Sequence, residues 1–144
     1  MREWNEGDTE SISKQITEED VRVYSDISLD TNPVHLDPEY ASRTRFGQRI
    51  AHGLYVAGLI SAVIGTKIPG PGAIYTGQTL RFVRPVYLGD IVTATATISK
   101  YDRERGRMTL QTVCKNQGGE AVLEGEAQIR YRPGPSPLTM GGHA

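Results

Sequence analysis

Cysteine is nearly absent from this 144-residue sequence, and the single thiol, Cys114, excludes an internal disulfide framework. Cys114 falls in a strand-like segment, where a buried and unreactive thiol is expected. The net charge of −1 gives no whole-chain reason to expect binding to nucleic acid or to an anionic membrane. No apolar run approaches the roughly 20 residues of a membrane span, and the N-terminal residues lack the apolar core of a signal peptide. We therefore expect a cytoplasmic protein.

The sequence also lacks the residue spacing of a metal site. Its three histidines, His35, His52 and His143, have no histidine or cysteine partners at the intervals that metal-binding motifs use. No segment is repeated, and 144 residues correspond to about one domain, which is long enough to bury a core without disulfides or metals. The sequence thus predicts one domain that works without a metal or redox cofactor.

The hydrophobic pattern predicts two main helices and a series of strands. Thr17 and the three acidic residues after it resemble a capping box, which predicts a helix that ends near Ser28. Residues 52–65 are apolar on nearly every side, which indicates a buried helix. Gly58 costs about 1 kcal/mol relative to alanine in such a helix, and a closely approaching strand is the expected compensation. Strands are predicted over residues 12–16, 74–83, 91–98, 107–114 and 121–131.

A long buried helix followed by antiparallel strands, each polar on one face, indicates an α+β domain whose sheet wraps around the helix. One small sheet leaves part of such a helix uncovered, and its open edges can pair with a second sheet. We therefore expect a homodimer. By composition the chain divides into a polar lead-in (residues 1–11), the folded domain (residues 12–132) and a flexible tail rich in proline and glycine (residues 133–144).

The segments that carry chemistry are Asp-Thr-Asn-Pro-Val-His at residues 30–35 and Ile-Ala-His-Gly-Leu at residues 50–54. Pro33 restricts its own φ and the residue before it, so the chain is expected to fold back between Asp30 and His35. Gly53 lies where the apolar helix begins, so its N–H is expected to be unpaired. An acid/base pair beside a free N–H suits proton transfer on a thioester-activated substrate. Taken alone, Asp30 can equally serve a turn hydrogen bond, and His35 can be an ordinary surface histidine.

With two further segments, these residues resemble the MaoC-like, R-specific enoyl-CoA hydratase family, which has a hot-dog fold. The resemblance covers about residues 29–130 and is closest to the short, single-domain hydratases that supply R-3-hydroxyacyl-CoA for polyhydroxyalkanoate synthesis. It rests on four segments in the family's order: residues 30–38 (DTNPVHLDP), 50–53 (IAHG), 77–82 (GQTLRF) and 85–90 (PVYLGD).

The resemblance implies catalytic roles for three residues. Asp30 and His35 match the pair that holds and activates water, and Gly53 matches the residue whose N–H binds the thioester oxygen. The implied reaction is the reversible hydration of a trans-2-enoyl-CoA to the R-3-hydroxyacyl-CoA, in which coenzyme A is part of the substrate. Asp30 is the expected general base. His35 is expected to orient the water and to protonate the α-carbon, although the division of these two roles stays open.

The expected substrate-binding residues are Asn32, Ser61 and Ile64. Asn32 is expected to shape the turn, and Ile64 to be among the side chains that set acyl chain length. Ser61 matches a hydroxyl that supports the aspartate, but it can instead bond to the helix carbonyl one turn back. His52 is expected to pack at the helix start, outside the catalytic set.

Two other functions stay open. Hot-dog thioesterases, and the dehydratases of fatty-acid synthesis, commonly carry a carboxylate on the central helix, and residues 53–65 contain none. A non-catalytic subunit that binds acyl thioesters has no need of the intact Asp30, His35 and Gly53 set. The carrier, coenzyme A or acyl carrier protein, and the direction of the reaction are also open. The basic residues that can meet the anionic groups of either carrier are Lys67, Arg81 and Arg84.

Overall fold

The structure is a computed structural model that describes residues 2–133. Its elements are β1 (Thr9–Gln15), α1 (Glu18–Ser28), α2 (Pro33–Leu36), α3 (Pro38–Ser42), α4 (Gly53–Thr66), β2 (Ala73–Phe82), β3 (Ile91–Asp102), β4 (Arg107–Lys115) and β5 (Ala121–Tyr131). The strands form one sheet in the order β1-β3-β4-β5-β2, and every neighbouring pair is antiparallel. The α+β architecture expected from the sequence, an antiparallel sheet packed on a central helix, is confirmed.

Helix α4 supplies the centre of the core. It contacts β1, β2, β3 and β4, and it buries five side chains against them: Val56, Leu59, Ile60, Val63 and Ile64. On the sheet, β3 alternates buried and half-buried residues with the period of two that a strand imposes. Because both elements follow their own hydrophobic pattern, their positions are predicted correctly from the sequence.

One face of α4 is left open in this chain, as expected for an apolar helix that a single small sheet cannot cover. Leu54 has a relative exposure of 62%, and Gly58, Ser61 and Gly65 are also exposed on the same face. A Cβ at Gly58 would meet no atom within 4 Å, so no strand approaches this glycine as expected. The reason is geometric: a single sheet covers one face of a helix and leaves the opposite face open.

The N-terminal region is more ordered than its polar composition suggests. The strand predicted from residue 12 begins at Thr9, and Trp4 is buried with the Arg2 guanidinium 4.0 Å above its ring. Hydroxyl pairs join β1 to β3, namely Thr9 with Thr97, Ser11 with Thr95 and Ser13 with Thr93. The division into lead-in, domain and tail stays a prediction, and residues 134–144 of the tail lie outside the described residues.

Two local predictions are confirmed. The capping box at the start of α1 is present: Thr17 accepts from the Asp20 N–H and the Asp20 carboxylate accepts from the Thr17 N–H. Cys114 is fully buried in β4, and burial raises the pKa of its thiol to about 12. Of the helices within residues 2–133, the longest has 14 residues, and none has the length and hydropathy that crossing a bilayer requires.

Candidate active site

The loop after α1 is organised by its own side chains. The Asp30 carboxylate accepts a hydrogen bond from the Asn32 N–H at 3.2 Å, and the side-chain Oδ1 of Asn32 accepts from the Val34 N–H at 3.1 Å. Asn32 therefore caps α2, and Pro33 occupies the first helical position, where its missing N–H costs nothing. The expected fold-back thus contains a one-turn helix, and that helix carries His35.

His35 is held by its backbone and by its ring. Its side chain is nearly buried, with 8% relative exposure, and Nδ1 lies 2.7 Å from the Ile50 carbonyl oxygen. Because a carbonyl only accepts, Nδ1 carries the proton of the neutral ring and Nε2 keeps a free lone pair. The Ile50 contact therefore sets both the tautomer and the direction of Nε2.

Arg49 fastens the His35 segment to α1. Its Nε–H donates to the His35 carbonyl at 2.7 Å, and its guanidinium pairs with Glu18 at 3.1 Å. The Arg49 guanidinium, and after it that of Arg22, holds the pKa of the exposed Glu18 carboxyl below its usual range. No local pattern in the sequence marks Arg49, because its partners lie 14 and 31 residues away.

The structure brings Asp30 and His35 together and adds His52. One carboxylate oxygen of Asp30 and one ring nitrogen of each histidine lie within 4.8 Å of one another. The His35 and His52 rings are stacked, with centroids 3.8 Å apart and an interplanar angle of 26°. Asp30 is solvent-exposed, whereas His52 is 2% exposed. The result is an accessible carboxylate beside two buried imidazoles.

His52 is the residue that sequence reasoning missed. Its Nε2 lies 3.0 Å from the Asp30 carbonyl oxygen and 3.0 Å from the Ser25 hydroxyl. Ser25 shares the buried face of α1 with Val21. A serine on an apolar helix face needs a hydrogen-bond partner, so Ser25 was a usable signal that a polar group approaches α1.

Gly53 provides a free backbone donor at the start of α4. The first N–H groups of a helix have no partner within it, and among residues 2–133 the Gly53 N–H has none outside it. The helix dipole adds a partial positive charge at this end. The ring of Phe82 covers the Cα of Gly53, since a Cβ there would lie 2.5 Å from Cε1 of Phe82. A free N–H with an aromatic ring beside it is suited to a developing oxyanion.

These groups open onto one pocket of about 640 Å³. Asp30, His35, His52 and Gly53 all line it. Most of the remaining lining is apolar and comes from α4, from the end of β2 and the segment after it, and from β5: Val56, Phe82, Val83, Val86, Val122 and Leu123. A polar corner in an apolar cleft is the usual form of a small-molecule site.

The other residues singled out in the sequence lie elsewhere. Asn32 is exposed and caps α2, Ser61 is on the open face of α4, and Ile64 is buried in the core. None of the three lines the pocket, and their substrate-binding roles stay predictions. Of the three basic residues, Arg84 lines the pocket, Arg81 pairs with Glu124 at 3.5 Å, and Lys67 donates to the Ser11 carbonyl at 3.0 Å.

Asp30, His35 and His52 are also the residues that a metal ion would need, but their geometry suits one poorly. The free nitrogens are Nε2 of His35 and Nδ1 of His52, because the other nitrogens are bonded to carbonyls. Imidazole binds metals along lone pairs in the ring plane at about 2.0–2.1 Å. Two rings stacked at 3.8 Å direct those lone pairs side by side and not at one point.

Burial lowers the pKa of His52, the hydrogen bond to the Asp30 carbonyl opposes this shift, and the nearby His35 adds to it. The groups that face the ring are Tyr24 and Ser25 of α1, Asp30, and His35 of α2. His52 is therefore neutral in the folded protein near neutral pH.

We expect the free energy of unfolding to decrease as the pH falls below about 6.5, the pKa of an ordinary histidine. Below this pH the unfolded chain binds a proton at His52, whereas the buried His52 of the folded protein does not. The contribution of His52 to stability is therefore fully present above the unfolded-state pKa and is lost as the pH falls towards the folded-state pKa. One such proton contributes a slope of at most about 1.4 kcal/mol per pH unit. Urea unfolding of the unmodified protein and of His52→Gln over about pH 5–7 should give a shallower slope for the variant. Equal slopes would contradict a depressed pKa.

Two curated proteins are similar to this chain over most of its length. A 3-hydroxybutyryl-CoA dehydratase from Methylorubrum extorquens is 47% identical over 140 residues, which cover 94% of this chain and 88% of that protein. An (R)-specific enoyl-CoA hydratase from Rhodospirillum rubrum is 48% identical over 124 residues, which cover 86% of this chain and 85% of that protein.

A solved structure shows that the fold is shared as well. The (R)-hydratase from A. caviae involved in PHA biosynthesis matches with a TM-score of 0.88 and 36% identity, over 92% of this chain and 100% of that one. The hot-dog fold expected from the sequence is thereby confirmed. A family model described as MaoC like domain matches residues 5–119. The chain therefore belongs to the MaoC-like domain family.

Proposed function

We propose that this protein catalyses the reversible addition of water to a trans-2-enoyl-CoA, which gives the R-3-hydroxyacyl-CoA. The observation that carries the proposal is the grouping of the Asp30 carboxylate, the His35 imidazole and the free Gly53 N–H in one pocket. The names of the relatives point to the same reaction, since they include an (R)-specific enoyl-CoA hydratase and a 3-hydroxybutyryl-CoA dehydratase. The product is the class of thioester from which polyhydroxyalkanoates are made.

The proposed chemistry needs only groups that the pocket contains. Asp30 removes a proton from water as the water oxygen bonds to the β-carbon of the substrate. The electron pair of the double bond moves towards the thioester, and the Gly53 N–H stabilises the charge that develops on its oxygen. Nε2 of His35, which carries no proton, accepts the second O–H of the water and so orients it, and Asp30 passes the proton it has taken from the water to the α-carbon. The sum is the addition of H and OH across one double bond, with no change of redox state and no metal or redox cofactor.

The pocket suits an acyl thioester on both sides of the reacting carbons. Val56, Val86, Val122 and Leu123 offer an apolar wall to the acyl chain. Two arginines, Arg45 and Arg84, line the same pocket. Arg84 also pairs with Glu120 at 3.4 Å, and positive charge at the pocket favours a substrate whose carrier bears phosphates. Neither feature selects between short and long chains.

The decisive experiment is the hydration of crotonyl-CoA, followed by the loss of the enoyl thioester absorbance, with a parallel assay for released thiol. We expect hydration, an R product and no effect of EDTA. Oxidation of the product by an S-specific dehydrogenase alone would contradict the proposed stereochemistry. Thiol release without hydration would make the protein a thioesterase, and activity in neither assay would indicate a binding subunit.

We further propose that the protein works as a homodimer joined along β2. β2 is an edge strand, and exposed apolar side chains lie on it and just beyond it: Ile74, Tyr75, Phe82 and Val83. The open face of α4, which includes Leu54 and Ser61, is also exposed to solvent in the single chain. An exposed apolar edge strand is a pairing surface, and a second copy would cover it.

We expect sedimentation at micromolar concentration to show a dimer, and Ile74→Lys to convert it to a monomer. Ile74 is 64% exposed on the β2 edge, so the lysine is harmless to the fold but places a charge in the proposed interface. The matched control is Ile91→Lys on β3, where the isoleucine is 46% exposed and three strands away from β2. A fully active monomer, or equal effects of the two lysines, would refute the proposed interface.

A further inference from the structure

We infer that His52 is a positioning residue, which fixes the Asp30 backbone through Nε2–H and fixes the His35 ring by stacking. The inference rests on the proposed function, because it assigns His52 to the same reaction. His52 thus joins Asp30 and His35, the pair that the sequence indicated, but it does not itself contact the reacting atoms.

The hydrogen bond to Asp30 determines which nitrogen of His52 carries the proton. The Asp30 carbonyl oxygen, 3.0 Å from Nε2, only accepts, so Nε2 is the donor. The Ser25 oxygen at the same distance then shares this proton as a second acceptor. Nδ1 of His52 is left without a proton and, within residues 2–133, without a hydrogen-bond partner.

Asp30 needs such an anchor because its own side chain provides none towards the core. The residue is exposed, and it follows Leu29, which adopts the left-handed conformation with φ of 68°. The Asp30 N–H bonds to the Ser28 hydroxyl at 3.2 Å, a contact within the same exposed segment. The bond from His52 is the contact that ties the Asp30 peptide to a buried group.

His35 is constrained by His52 in a different direction. The Ile50 carbonyl holds Nδ1 in the plane of the ring, at 2.7 Å. The His52 ring lies against the face of His35 at 3.8 Å and so opposes rotation out of that plane. Together the two contacts fix the direction in which Nε2 of His35 points.

The choice of an imidazole at this position also requires an explanation. Tyr24 packs on His52 at 4.7 Å, and a phenyl ring would stack between Tyr24 and His35 as well as an imidazole does. A buried nitrogen without a hydrogen-bond partner is unfavourable, and a phenyl ring contains no nitrogen. An imidazole is therefore favoured over a phenyl ring only if its Nε2–H is needed, and this N–H donates to the Asp30 carbonyl.

The test compares His52→Phe, which keeps a ring and loses the donor, with His52→Gln, which keeps an N–H donor near the Nε2 position. We expect His52→Phe to lower kcat by about 10- to 100-fold, as a small misplacement of reacting groups does, while KM stays nearly unchanged. His52→Gln, which restores the donor but not the stacked ring, should recover only the part of kcat that depends on the bond to Asp30. Ser25→Ala, which removes only the second contact, should stay close to the unmodified enzyme. Unmodified kcat in His52→Phe would overturn the role of the bond to Asp30, and unmodified kcat in His52→Gln would overturn the role of the stacking on His35.

A second measurement does not depend on activity. Histidine ¹⁵N spectra of the unmodified protein should show His52 neutral and protonated at Nε2, and His52→Phe should shift the His35 ring signals and the Thr31 amide, which follows the Asp30 carbonyl. A proton on Nδ1 of His52, or unchanged His35 and Thr31 signals in the variant, would overturn the inference. An inactive protein with the expected spectra would instead refute only the proposed function.

Discussion

Replacement of Asp30 by asparagine should lower kcat for hydration by about 10²–10⁴-fold, the usual effect of losing a general base. This corresponds to roughly 3–5 kcal/mol of activation free energy. Asparagine keeps the shape of the side chain, and its carbonyl oxygen can still accept from the Asn32 N–H. Since Asp30 is exposed and adds nothing to the core, the variant should remain folded.

The matched control is Asp26→Asn. Asp26 is also exposed and lies four residues before Asp30, near the end of α1, so both variants lose one negative charge in the same region. A steady-state assay on crotonyl-CoA should find Asp26→Asn close to the unmodified enzyme. If Asp30→Asn retains near-normal hydration, Asp30 is a turn residue and the proposed mechanism is wrong.

The features that the sequence predicted well are those that depend on neighbouring residues. The capping box at Thr17, the alternation along β3 and the apolar run of α4 are local patterns with a direct structural cause. The start of β1 at Thr9 was missed because its partner, Thr97, is 88 residues away and the segment itself is polar. The open face of α4, in contrast, was expected, because hydrophobicity shows that this helix needs more cover than one small sheet gives, although it does not show what provides that cover.

The same distinction applies to the site. Asp30, His35 and Gly53 were selected by motif and resemblance, and the structure places them in one pocket. The contacts of His52 with Ser25, which is 27 residues away, and with the stacked His35 ring are not revealed by any local spacing.

Replacement of His35 should lower kcat to a similar extent, by about 10²–10⁴-fold, but it should also affect stability. His35 is nearly buried, bonded to Ile50 and stacked on His52, so alanine would leave a gap and an unpaired carbonyl. His35→Gln fills more of that space and should lose activity with a smaller loss of stability. Val34→Ala, at the neighbouring half-buried position of α2, is the control for loosening this helix.

The double variant Asp30→Asn/His35→Gln tests whether the two residues act as a unit. If both act on one water molecule, removal of either disables the same step, and the double variant should have a kcat close to that of the more impaired single variant. Rates measured on protein shown to be folded by urea titration would give this comparison directly. If instead the two effects multiply, Asp30 and His35 contribute independently, and a single shared water cannot be the group that they activate.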